Sequence, residues 1–125
     1  MSGMGPTHDE QGRPYFRVGI VGAHYPTYDQ GWDVVRFVVS LPRHTHVHVY
    51  GHHGADRDAS LAAKDLGMSV WRLLPKSPFD SSEETLYQFL DLDQMHCWLA
   101  PAGARDRVCD EVRRMIAEGV PWVQH

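Results

Sequence analysis

Three observations predict an α/β domain: strand and helix patterns alternate strictly along the chain, the strands read as near-continuous apolar runs, and glycine punctuates three strand ends. The expected architecture is a single Rossmann-like three-layer domain around a five-stranded parallel sheet. Right-handed crossovers are nearly obligatory. Strand order 3-2-1-4-5 is preferred over the flavodoxin-like 2-1-3-4-5, and it sets the topological switch between strands one and four.

Residues 1–15 combine glycines and prolines with no apolar periodicity and are expected to form a flexible tail, so the domain spans 16–125. At 16–22 the run Phe-Arg-Val-Gly-Ile-Val-Gly is the first strand. It leaves through Gly22, Ala23, His24, Tyr25 and Pro26, a loop that excludes helix until about Asp29. Trp32, Val35, Val38 and Val39 then mark a helix face that closes near Leu41 and Pro42. The second strand, at 47–50, runs into Gly51, His52, His53 and Gly54, and Ala55, Ala59, Ala62 and Leu66 carry a helix that Gly67 caps. A third strand is expected at 69–74. Ser81, Ser82, Glu83 and Glu84 fit a capping box for a short helix bearing Leu86, Phe89 and Leu90. The fourth strand, at 95–100, exits through Pro101, Ala102, Gly103, Ala104 and Arg105. Val108, Val112, Met115 and Ile116 form the apolar face of the last helix, Asp110 and Arg114 are placed to pair across one of its turns, and Gly119 is its expected cap. A terminal edge strand at 120–123 admits Pro121.

Composition narrows the function classes. With 125 residues, 42% of them hydrophobic, the chain can bury a core without staples. A net charge of -4 and the lack of any Lys/Arg run argue against duplex nucleic acid as a partner. Apolar runs such as Phe37-Val38-Val39 are too short to span a membrane. Cys97 and Cys109 lack CxxC spacing and read as reduced core thiols, which suits a cytoplasmic protein. Trp122, beside an edge strand, is a candidate contact for a homodimer or higher oligomer.

The expected topology brings the loops after strands one, two and four together, and ligands of open α/β sheets bind beyond such strand ends. The last helix opens with Arg105, Asp106 and Arg107 behind the Pro-Ala-Gly loop, an arrangement suited to a phosphate. The second helix instead carries Asp56 and Asp58 in its first turn. Carboxylates there either cap the helix or hold ribose hydroxyls. His44, His46 and His48 alternate along the second strand as metal ligands could, but one satisfied ring nitrogen each is the commoner arrangement, and no metal or other cofactor is expected. His24, His52 and His53 come from two neighbouring loops and can bind phosphate, stack on a base or move a proton.

These residues resemble the SLOG superfamily, the Rossmann-like group that includes the Lonely Guy phosphoribohydrolases and the small YspA-type bacterial and phage proteins. The segment 18–24 is similar to that group's first strand ending in Gly-Ser-Arg, with His24 at the arginine. The segment 50–59 is similar to its His-Gly-Gly-Ala-Arg-Gly-Ala-Asp turn, with Gly-Ala-Asp-Arg at 54–57, and 101–105 to its Pro-Gly-Gly loop. The resemblance implies a cleft for a nucleotide or nucleotide-derived ligand lined by Gly22, Ala23, His24, Tyr25, Gly51, His52, His53, Gly54, Asp56, Pro101, Ala102, Gly103 and Arg105. Cys109 stands where the hydrolases carry their catalytic glutamate, so sensing or sequestration of the ligand is expected ahead of N-glycosidic hydrolysis. A structural protein working through a partner surface is the remaining alternative.

Overall fold

The computed structural model describes residues 12, 16–23, 25–51, 54–72, 92–99, 106–116 and 119–125. The expected tail, apart from Gly12, and the expected helix beginning at Ser81 lie outside these residues. In chain order the elements are β1 (Arg17–Gly22), α1 (Tyr28–Ser40), β2 (His46–Val49), α2 (Gly54–Asp65), β3 (Ser69–Arg72), β4 (Gln94–Trp98), α3 (Arg107–Met115) and β5 (Trp122–Gln124). All pairings are parallel and the sheet order is β3-β2-β1-β4-β5, the order expected.

Side chains of a strand alternate between faces, and β1 divides the core accordingly. Val18 and Ile20 join Val47, Val49 and Trp98 under Val34 and Val38 of α1 and the alanines 55, 59 and 63 of α2. Val21, Met95 and Cys97 face the other way, beneath Cys109 and Val112 of α3. The central strands are covered on both faces, which explains their unbroken apolar sequence. No helix among the described residues is long and apolar enough to cross a membrane.

Thr27 starts α1 with a capping box: its hydroxyl accepts from the Gln30 N–H (3.2 Å) while the Gln30 carboxamide oxygen accepts from the Thr27 N–H (2.8 Å). The face expected from Trp32, Val35, Val38 and Val39 is corrected. Val34 and Val38 are the buried pair, whereas Trp32 and Val39 are 49% and 47% exposed. Neighbouring helical residues are about 100° apart, so the stripe 34, 37, 38, 41 that meets the sheet leaves Val35 and Val39 to one side.

At the end of α2 the Gly67 N–H donates to Lys64 O (3.0 Å) and the Met68 N–H to Ala63 O (2.9 Å), with Gly67 at φ +72°. This is the Schellman arrangement, with Met68 buried beside it. The cap of α3 differs from expectation. Ile116 closes the helix, its N–H donating to Val112 O, because the chain turns extended there, and Gly119 lies in the turn beyond. Among the described residues no ion pair joins Asp110 to Arg114; the pair present on α1 is Arg36–Asp33 at 2.8 Å. Trp122 is half-buried, with the Arg113 guanidinium 5.2 Å from its ring centre, so its ring is partly covered within the chain.

Candidate functional site

Placing β1 between β2 and β4 brings together the chain segments that leave these three strands. Gly22 ends β1 where there is no room for a side chain: a Cβ would lie 2.7 Å from both Ala55 Cβ and the Trp98 carbonyl oxygen. Glycine therefore lets the start of α2 close onto the end of β4. Two bonds lock that closure, from the Ala23 N–H to Trp98 O (2.8 Å) and from the Ala55 N–H to Ala23 O (3.2 Å). Gln30 adds a third tie by donating from its carboxamide to Leu99 O.

Asp56 sits at the centre of this junction. Asp56 is 4% exposed, and rather than capping the first turn of its own helix it turns back to the strand-to-helix loop, where Oδ2 accepts from the Gly51 N–H (2.8 Å). Oδ1 is buried and has no hydrogen-bond partner among the described residues. Burial raises the Asp56 pKa to about 7, against the pull of the Gly51, Tyr50 and Gly22 amides, and the nearby Asp106 carboxylate pushes it further up. Near neutral pH this carboxyl therefore exists in both forms, accepting when ionised and donating when protonated.

Asp106 approaches from the opposite side as the N-cap of α3, with Oδ1 accepting from the Cys109 N–H (3.0 Å). A carboxylate thus occupies the helix terminus that was expected to receive phosphate, and a helix N-terminus so capped is less favourable to an anion. The start of α2 is similar, since the Ala55 and Gly51 amides are already engaged within the chain. Cys97 and Cys109 are both buried free thiols that meet between β4 and α3. Their hydrogen bond, and then burial, push the Cys109 thiol upward, so it is a poor nucleophile in place of a carboxylate.

Of the cleft residues expected from sequence, Gly22, Ala23, Gly51, Gly54 and Asp56 meet at this junction, with Gly54 at φ +60° opening α2. Tyr25 is 87% exposed. His24, His52, His53, Pro101, Ala102, Gly103 and Arg105 lie outside the described residues. Arg107 is exposed at the start of α3. Asp106 and Cys97 were not singled out as cleft residues, although Asp-x-x-Cys at 106–109 carries a readable N-cap signal.

The histidines sort differently from expectation. Of His44, His46 and His48, the last two are strand residues, and they share a sheet face with Trp71, against which His48 stacks (6.1 Å, 11°). His44 lies in the turn before β2. Both ring nitrogens of His48 are buried without a partner among the described residues, and burial lowers its pKa to about 4. A second group, not expected, joins His96 and His125. His96 Nδ1 lies 2.8 Å from His125 Nε2 and His96 Nε2 lies 2.9 Å from Gln94 Oε1, while Trp98 stacks on His125 at 4.0 Å. Burial and then the neighbouring His125 lower the His96 pKa to about 4, which keeps it neutral.

Comparison with family models, curated proteins and solved structures found no match for this chain.

Proposed function

We propose that this domain binds a nucleotide or nucleotide-derived ligand, sensing or sequestering it, beyond the carboxyl ends of β1, β2 and β4. The observation that carries the proposal is Asp56 Oδ1, a buried carboxyl oxygen that has no hydrogen-bond partner among the described residues and lies at the topological switch. Leaving such an atom unpaired costs about 1–3 kcal/mol, a cost that a ligand hydroxyl donating to it removes. Open α/β sheets bind ligands at this position. The engaged helix amides and the two carboxylates, Asp56 and Asp106, favour the hydroxyl-bearing part of a ligand over its phosphate. On this reading ribose faces Asp56, and phosphate falls to Arg105 and the histidines 24, 52 and 53. The resemblance to SLOG proteins supports the same ligand class.

One observation favours a second reading. A carboxyl that titrates near 7 beside another carboxylate is suited to general acid or base work, as N-glycosidic hydrolysis requires.

Calorimetry with nucleosides and nucleoside monophosphates, followed by chromatography for free base, separates the two. Binding without base release is expected, with affinity for ribonucleotides falling about tenfold in Asp56→Asn and affinity for the matching deoxyribonucleotides falling less. Base release abolished by Asp56→Asn establishes the hydrolase, whereas additive effects of the mutation and the missing hydroxyl remove Asp56 from the sugar.

A further inference from the structure

A recess of about 330 Å³ lies between α1 and α2, bordered at one end by Pro26 and Thr27 of the loop that leaves β1. Its walls are the rings of Tyr28 and Trp32, one helical turn apart, with Val35 beyond them and Asp58 across from α2. The two rings meet edge to face at 6.3 Å, and they stay 79% and 49% exposed although each could bury a large apolar area. Gly31 makes the recess. A Cβ there would lie 3.1 Å from Asp58 Oδ2, so the missing side chain lets the carboxylate rest against the α1 backbone. Among the described residues, Asp58 has no hydrogen-bond donor, and no cationic side chain lines the recess. Burial raises its pKa, and the neighbouring Arg57 offsets this only in part.

We infer that this recess is a binding site for a small organic ammonium ion, its N–H groups directed to Asp58 and its apolar part against Trp32 and Tyr28. The chemistry is complementary at each wall. Aromatic rings attract a cation through their quadrupole, most strongly Trp, and an ammonium supplies the donors that Asp58 lacks. A neutral ligand of the same shape gains the apolar contact alone. An anion is opposed by Asp58 and by the net charge of -4. The site shares no residue with the proposed nucleotide cleft, so either assignment can fail without the other.

Benzylammonium and benzyl alcohol are the test pair, being nearly isosteric and differing in charge. Each is titrated into the full chain while the indole N–H of Trp32, assigned through Trp32→Phe, is followed by heteronuclear NMR. Saturable displacement of the Trp32 signal by benzylammonium is expected, with benzyl alcohol at least about tenfold weaker, in keeping with the loss of one cation–aromatic and one charged hydrogen-bond contact. Asp58→Asn should lower benzylammonium affinity about tenfold and leave benzyl alcohol unchanged, and Asp56→Asn should alter neither. Equal affinities for the two probes, no saturable Trp32 displacement with benzylammonium, or indifference of benzylammonium binding to Asp58→Asn each overturns the proposal.

Discussion

Replacing Asp56 with asparagine should make the protein more stable, and increasingly so as the pH rises. In the unfolded chain this carboxyl has its ordinary value of 3.8, whereas in the folded protein burial lifts it to about 7. Folding therefore favours its protonated form. The associated stability is fully present below about pH 4 and is lost as the pH climbs through about 7, because over that interval the unfolded chain releases the proton first. At ~1.36 kcal/mol for each pKa unit, the loss reaches ~4 kcal/mol above neutrality. That is a large part of the 5–15 kcal/mol typical of a domain. Asparagine cannot ionise, and its carbonyl oxygen can still accept from the Gly51 N–H that Asp56 engages at 2.8 Å. Urea denaturation followed by tryptophan fluorescence should give a stability gain of ~1 kcal/mol at pH 4.5, rising to ~4 kcal/mol at pH 8. The buried histidines act with the opposite sign, their stabilisation being lost on acidification, but they are common to both proteins and cancel in the difference. Parallel pH profiles for the two proteins would refute the raised carboxyl. Paired with weaker ribonucleotide binding, the expected profile has the form of a group kept for function at the expense of stability.

Gly22→Ala should destabilise the protein by ~1–3 kcal/mol in thermal unfolding, since the new methyl meets the Trp98 carbonyl and Ala55 at 2.7 Å; an unchanged melting temperature would show that the junction is slack. His48→Phe should move the acid-unfolding midpoint, followed by circular dichroism, to lower pH. His48 stability is present above about pH 6.5 and lost as the pH falls through about 4, and phenylalanine has no such loss; an unmoved midpoint would contradict this. Thr27→Ala should cost ~1 kcal/mol through loss of the α1 cap, read from urea midpoints, and a neutral result would show that Gln30 alone holds the helix start.

The strand order was legible because it follows from pattern and handedness: apolar strands alternating with helices, joined by right-handed crossovers, leave few topologies. The Gly67 cap and the alanine stripe of α2 were legible for a local reason, since left-handed backbone and helical period are written in adjacent residues. The Thr27–Gln30 capping box was equally local, yet Pro26 drew the expected helix start one residue too far along. Other features depend on contacts between elements distant in the chain. Which of two valine stripes on α1 meets the sheet is decided by its packing against β1, β2 and β4, and the same packing leaves Trp32 facing Asp58. The pairing of His96 with His125 requires β4 and β5 to be neighbours in register. Asp56 shows the division most plainly. Its place in the first turn of a helix after a glycine turn was visible in the sequence. That it titrates near neutrality follows only from tertiary structure, because desolvation depends on what closes over the carboxyl, and here the ends of β1 and β2, with Asp106 nearby, come from well-separated parts of the chain.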